Sequence, residues 1–162
     1  MYKRQIFDAA KNLNPSFVAH VRTHRVTTDG SVSRMGIRAT PIRLLHGKMP
    51  ILGWRFDAVD AAGAALNDLP GPFPFAWCTD CSAIPPESWP RLEGLRHLFL
   101  DMLRPRSHPT HFCLDESLAV AEKVAAKQTW FIHMSHDVAH ADLEASLPSG
   151  IAPAHDGLVV SG

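Results

Sequence analysis

The chain has 162 residues, of which 46% are hydrophobic and 20% charged, a composition typical of one globular domain with its own core. Sixteen basic and sixteen acidic residues balance, so net charge gives no signal for nucleic acid or a membrane surface. No apolar run approaches the roughly 18 to 20 residues of a membrane span, and the N-terminus lacks the apolar region of a signal peptide. We therefore expect a cytoplasmic protein with no membrane partner.

The predicted elements begin after a poorly specified lead-in over residues 1–33, and the domain occupies residues 34–162 with an Ala/Gly/Pro-rich surface insertion over 57–74. Apolar runs and turn residues then predict strands over 37–46, 51–56, 73–79, 97–100, 129–132 and 157–160, a turn over 48–50, and helices over 86–92, 114–126 and 139–147. The run 97–100 is continuous enough to predict a strand covered on both faces. The order strand, helix, strand over 97–132 predicts a partly parallel sheet.

Polar side chains stand at the ends of four of these strands. His46, Asp80, Asp101 and His133 each follow a separate apolar run. In α/β sheets, ligands bind beyond the carboxyl ends of the strands, so this pattern indicates one site. Imidazole and carboxylate groups suit zinc, manganese or iron, and a bridging carboxylate can hold two ions. The alternative is that polar residues simply end strands and cap helices.

The segment 131–137 gives the densest local signal, because an apolar strand runs directly into His133, His136 and Asp137. This arrangement favours a functional role. A structural alternative remains, in which His136 and Asp137 cap the next helix.

Three cysteines, an odd number, argue against a disulfide framework. Cys78 and Cys81 have C-x-x-C spacing, and Cys113 could be a third thiolate, so a thiolate zinc-binding module stays open as an alternative. The other interpretation is that these are buried, inert thiols beside Asp80.

Five short motifs resemble those of phosphoribosyl cyclic-phosphate phosphodiesterase-like (PhnP-like) proteins of the metallo-β-lactamase superfamily. In chain order they are HGKMPILG at 46–53, TDCS with Ile-Pro at 79–85, HPTHF at 108–112, HMSHD at 133–137 and DGL at 156–158. The resemblance implies an α/β fold, the C-terminal half of an αββα sandwich with a mixed sheet flanked by helices. It also implies a metal-dependent hydrolase with a small-molecule phosphodiester substrate and two divalent ions, zinc or manganese.

The same resemblance implies a role for individual residues. His46 and His133 would each bind one metal ion, and Asp80 would bridge the two. His111 would contact the scissile phosphate or act as a general acid. His108, His136 and Asp137 would orient the ligands by hydrogen bonds.

One family signature, His-x-His-x-Asp-His, does not occur in the sequence. We therefore expect the chain to start about halfway through the family's fold, to expose one apolar face of its sheet, and to be inactive alone. A partner, either the missing N-terminal half or a second copy, would complete it. The alternative from another functional class is a non-catalytic interaction or assembly module.

Overall fold

The computed structural model describes residues 24–66 and 71–161. Within them, seven strands form one sheet in the order β1 to β7, accompanied by two α-helices and a 3₁₀ helix. The strands are β1 (Val32–Arg34), β2 (Ile37–His46), β3 (Met49–Ala58), β4 (Phe75–Cys78), β5 (His97–Asp101), β6 (Gln128–Ile132) and β7 (Ile151–Pro153). The helices are α1 (Leu114–Val124), α2 (His140–Ser146) and the 3₁₀ helix Pro86–Leu92.

The sheet is mixed, as predicted. Strands β1 to β4 pair antiparallel, whereas β4 to β7 pair parallel. Strands β2 and β3 form a long hairpin whose tight turn uses Gly47 at a φ of +61°, a conformation that glycine adopts without strain. The turn is earlier than predicted, because Met49 pairs with His46 and already belongs to β3.

Helix α1 makes the crossover between the parallel strands β5 and β6. Asp115 and Glu116 lie in its first turn, and the backbone N–H of Cys113 donates to Glu116 Oε2 at 2.9 Å. Ala125 ends the helix in the left-handed conformation, which stops it before the predicted residue 126.

One face of the sheet carries the core. Its buried side chains alternate with those of the other face, as the two-residue period of strands requires. They include Ile42, Leu44, Ala76, Cys78, Leu98, Leu100 and Phe131, packed against α1, α2 and the 3₁₀ helix.

The opposite face is aromatic and partly exposed. Trp77, on β4, is 41% exposed and stacks on Phe99 of β5 with ring centroids 4.8 Å apart. Phe56 and Phe75 stack at 4.7 Å beside them, and Trp54 lines the same groove. Within β5 itself only Phe99 is partly exposed and the other four residues are buried, so the predicted cover on both faces is nearly complete there. The partly exposed apolar face expected from the sequence lies around Trp77 of β4.

The predicted closing strand over 157–160 is wrong. The last strand is Ile151–Pro153, which follows the turn at Gly150 and pairs parallel with β6. Pro153 is tolerated there because β7 is the edge strand and needs no second partner. Gly157 instead has a φ of +84°, and Val159 is 86% exposed.

The limits assigned to the lead-in and the insertion stay predictions, since 1–23 and 67–70 lie outside the described residues. Residues 57 and 58 nevertheless continue β3, and Asp57 is buried in ion pairs with Arg55 and Arg38. Over the described ranges, no helix is long and apolar enough to cross a membrane.

Candidate metal centre

The strand directions bring four polar strand ends to one edge of the sheet. Because β2 and β4 are both antiparallel to β3, they run the same way, and β5 and β6 are parallel to β4. Their carboxyl ends therefore meet at one edge of the sheet. Strands β2 and β5 end at His46 and Asp101, Asp80 lies two residues after β4, and His133 directly follows β6.

His46 is held in a fixed orientation at the end of β2. Its Nδ1 lies 3.0 Å from the backbone carbonyl oxygen of Asp80. Because a carbonyl oxygen only accepts hydrogen bonds, Nδ1 must donate, which leaves the Nε2 lone pair free. An imidazole fixed in this way through one nitrogen is the usual form of a metal-binding histidine.

Asp80 and His133 face each other across the strand ends. His133 Nε2 lies 3.3 Å from Asp80 Oδ1, and both side chains are partly exposed. Both residues have left-handed backbone, with φ values of 58° for Asp80 and 65° for His133. This conformation is disfavoured for residues with a Cβ, and such residues cluster at functional sites.

His111 reaches the same place from the loop after β5. Its Nδ1 lies 3.0 Å from Oδ2 of Asp101, which is completely buried. The same oxygen accepts the backbone N–H of Cys81 at 3.0 Å. Burial raises the pKa of the Asp101 carboxyl, and the hydrogen bonds from His111 and Cys81 offset part of this effect.

The imidazole rings pack together around His111. Its ring centroid is 4.7 Å from that of His46, 5.0 Å from that of His133 and 5.1 Å from that of His108. Burial and the neighbouring Arg104 lower the pKa of His108, whose Nδ1 is 3.3 Å from Thr110 Oγ1.

The donor atoms fit a divalent ion. Two overlapping groups, His46 with Asp80 and His111, and Asp101 with His111 and His133, have ligand atoms within 4.8 Å of one another. In addition, Asp101 Oδ1 is buried and has no hydrogen-bond partner among the described residues. Imidazole nitrogen and carboxylate oxygen in this number are typical of catalytic zinc and manganese sites, which use about three protein ligands.

The predicted site residues separate into two sets. His46, Asp80, His111 and His133 come together, with His108 beside them. His136 and Asp137 pair with each other at 3.6 Å, and the His136 side chain is 97% exposed. Their predicted role as orienting residues therefore stays a prediction without a supporting contact.

Asp101 is the site residue whose importance the sequence reasoning missed. The strand-end pattern places Asp101 at the site, but the family resemblance assigns it no role. The apolar run before it, 97–100, marks it as the end of a buried strand, and that was the available signal.

The cysteines do not favour a thiolate site. All three are buried, and burial raises the pKa of the Cys78 thiol to about 12 and that of Cys81 still further. The groups of possible metal ligands found in the described part of the chain contain no cysteine.

Comparison with known proteins identifies a matching protein family. A family model described as a beta-lactamase superfamily domain matches residues 3–134. An octanoyltransferase of Porphyromonas gingivalis is 29% identical over 123 residues, which cover 73% of this chain but 21% of that protein. With so little of that protein matched, its name gives no argument about activity here.

Several solved structures are similar. A crystal structure described as a new diphosphatase from the PhnP family is 40% identical, with a TM-score of 0.75, and the match covers 88% of this chain and 50% of that one. The metallo-beta-lactamase fold protein YhfI from Bacillus subtilis is 15% identical over 91% of this chain and 58% of its own, with a TM-score of 0.67. Zn(2+)-bound PqqB from Methylobacterium extorquens is 16% identical over 82% and 53%, with a TM-score of 0.54. The chain thus spans about half the length of these proteins, and the last two show the fold alone.

Proposed function

The chain belongs to the beta-lactamase superfamily, and from this membership we propose that it is part of a metal-dependent hydrolase that cleaves phosphodiesters, cyclic phosphates among them. Its predicted fold class is confirmed: the mixed, helix-flanked sheet is that of the metallo-β-lactamase fold. The observation that carries the proposal is the convergence of His46, Asp80, His111 and His133 at one sheet edge. The 40% identity to a diphosphatase supports phosphorus chemistry.

In this proposal His46, Asp80 and His133 hold divalent metal, zinc or manganese. When bound, the metal supplies charge to polarise a phosphoryl oxygen and lowers the pKa of water. The hydrogen bond from His46 to the Asp80 carbonyl keeps the imidazole aimed at the site.

His111 acts on the leaving group. Because Nδ1 faces Asp101, Nε2 is the nitrogen that remains available to substrate. A protonated His111 gives its Nε2 proton to the departing alkoxide oxygen as the P–O bond breaks, and the carboxylate behind it stabilises the charged ring.

The chain offers few ligands for two ions, since its sequence contains no His-x-His-x-Asp-His. We therefore propose that full activity requires ligands from outside this sequence and that the chain alone turns over no substrate. The aromatic face around Trp77 and Phe99 favours assembly with another polypeptide. This makes an assembly role part of the same proposal.

The test is elemental analysis of the purified chain together with hydrolysis of bis(p-nitrophenyl) phosphate in added zinc or manganese. The variants are Asp80→Ala and, as a matched control, Asp115→Asn, which changes an exposed acid on α1. We expect metal in wild type and control but not in Asp80→Ala. Equal metal in all three would contradict the site. Turnover by wild type that Asp80→Ala abolishes would contradict the inactivity of the chain alone.

A further inference from the structure

Asp101 is an acidic side chain held away from water at the centre of the site. It is 0% exposed, although carboxylates are seldom fully buried unless paired. Its backbone is fixed by β5, and its carbonyl oxygen accepts the Ser117 hydroxyl of α1 at 2.8 Å. The carboxyl group therefore projects from a rigid element.

A single oxygen of this carboxyl group joins two loops. Oδ2 accepts the Cys81 N–H, in the residue that follows Asp80, and it also lies 3.0 Å from His111 Nδ1. The same two loops meet again where the Phe112 N–H donates to the Cys81 carbonyl oxygen at 2.9 Å. Oδ2 of Asp101 thus holds both the loop of Asp80 and the loop of His111.

The shared acceptor also determines which His111 nitrogen carries a proton. As a carboxylate, Asp101 has no proton to donate, so its Oδ2 accepts both hydrogen bonds and the His111 imidazole is the donor. This makes the neutral ring the Nδ1–H tautomer, with its lone pair on Nε2.

We infer that Asp101 is the positioning residue of this site: through Oδ2 it fixes the Nδ1–H tautomer of His111 and holds the Cys81 N–H, and with it the turn that presents Asp80. The inference deepens the proposed function and rests on it for its catalytic meaning. The hydrogen bonds themselves need neither metal nor substrate.

Two variants of similar size separate the hydrogen bonds from simple packing. Asp101→Asn keeps an oxygen that can accept both bonds, with its NH₂ group in the place of the unpaired Oδ1. Asp101→Leu fills the space but accepts neither. Asp57→Asn is the control for altering a buried acid, because Asp57 pairs with Arg55 and Arg38 instead.

The experiment records long-range ¹H–¹⁵N spectra of the metal-free chain, labelled at histidine nitrogens, at a pH where the rings are neutral. The His111 signals are assigned with His111→Gln. Hydrogen exchange of the Cys81 amide is measured on the same proteins. Far-UV circular dichroism confirms that each variant is folded.

We expect one Nδ1–H pattern for His111 in wild type, Asp57→Asn and Asp101→Asn, and a mixture of tautomers in Asp101→Leu. The Cys81 amide should exchange at least tenfold faster in Asp101→Leu than in Asp101→Asn, since one bond is lost. An Nε2–H pattern in wild type, or unchanged signals and exchange in Asp101→Leu, would overturn the inference. If Asp101→Leu does not fold, the tautomer in wild type and Asp101→Asn decides. These spectra need no metal. Failure of the positioning role of Asp101 can therefore be distinguished from failure of the proposed metal-dependent function.

Discussion

At the scale of single residues, the buried thiols give the chain a pH dependence. Burial raises the pKa of Cys78 from an ordinary value of 9.0 to about 12. The unfolded chain therefore loses this proton first as the pH rises. The contribution of Cys78 to the free energy of unfolding is expected to be constant below pH 9 and to fall by about 1.4 kcal/mol per pH unit between about 9 and 12.

Urea unfolding of wild type and Cys78→Ala between pH 8 and 11 measures this effect. Because Cys78 also helps to raise the pKa of Cys81, the difference between the two slopes reports the Cys78 thiol together with its effect on Cys81. We expect a shallower fall in the variant. Parallel curves would show that Cys78 is accessible in the folded chain.

Gly47 links the turn after β2 to the loop that carries His111. Its φ is +61°, and a Cβ there would lie 3.0 Å from Thr110 Cγ2. Gly47→Ala should lose about 1–2 kcal/mol of unfolding free energy from backbone strain, and more from this contact. Gly94→Ala is the matched control, because Gly94 has a φ of +65° and open space around it.

Thermal or urea unfolding of the two variants gives the difference that the contact contributes. Adding Thr110→Ser removes Cγ2 and should bring Gly47→Ala back to the level of Gly94→Ala. If stability is not recovered, the contact with Thr110 Cγ2 does not contribute to the loss in Gly47→Ala.

At the scale of elements, Gly53 sets the spacing between β3 and its neighbours. A Cβ at this position would lie 2.7 Å from Leu44 Cδ1 and 2.8 Å from the Trp77 carbonyl oxygen. The backbone oxygen cannot move without shifting β4. Gly53→Ala should therefore destabilise the fold by at least about 1–3 kcal/mol.

Denaturant unfolding of Gly53→Ala alone and with Leu44→Ala tests the cause. Because the Trp77 carbonyl remains in place, the second substitution should not restore stability. Restoration would show that the side chain of Leu44 is the only obstacle.

The elements explain what the sequence could predict. The apolar runs that end at His46, Asp101 and His133 predict the limits of β2, β5 and β6 to within a residue or two. This succeeds because the apolar residues end where the sheet edge meets water. The role of Asp101 was not predictable, since it depends on the fold of the loop after β4 onto a neighbouring strand. The last strand was missed because Ile151–Pro153 is short and contains a proline.

The left-handed backbone at Asp80 and His133 was equally hidden from the sequence. Neither aspartate nor histidine by itself indicates a left-handed backbone, and tertiary contacts impose this conformation here. Motif order predicts the residues that the fold brings together at the candidate site, but it does not predict their geometry.

At the scale of the whole molecule, the two faces of the sheet should contribute unequally to the free energy of unfolding. Trp77 is 41% exposed, whereas Phe131 on the core face is 0% exposed. Trp77→Gln should lose about 0.5–1.5 kcal/mol, mainly from its stack on Phe99, while Phe131→Ala should lose about 3–5 kcal/mol.

Urea unfolding compares the two variants, and binding of the dye ANS reports the exposed apolar face. Trp77→Gln should bind less dye than wild type with its fold retained. An equal loss of stability in both variants would mean that the aromatic face is covered in the isolated chain.

The proposed hydrolase requires that imidazole and carboxylate groups bind metal at the sheet edge. Titration of the wild-type chain with cobalt(II), followed by absorption spectroscopy, reports the ligand type as well as the binding. We predict visible ligand-field bands without thiolate charge transfer, lost in Asp80→Ala and retained in Cys78→Ala and Asp115→Asn. A thiolate band that Cys78→Ala removes, or binding unaffected by Asp80→Ala, would contradict the account.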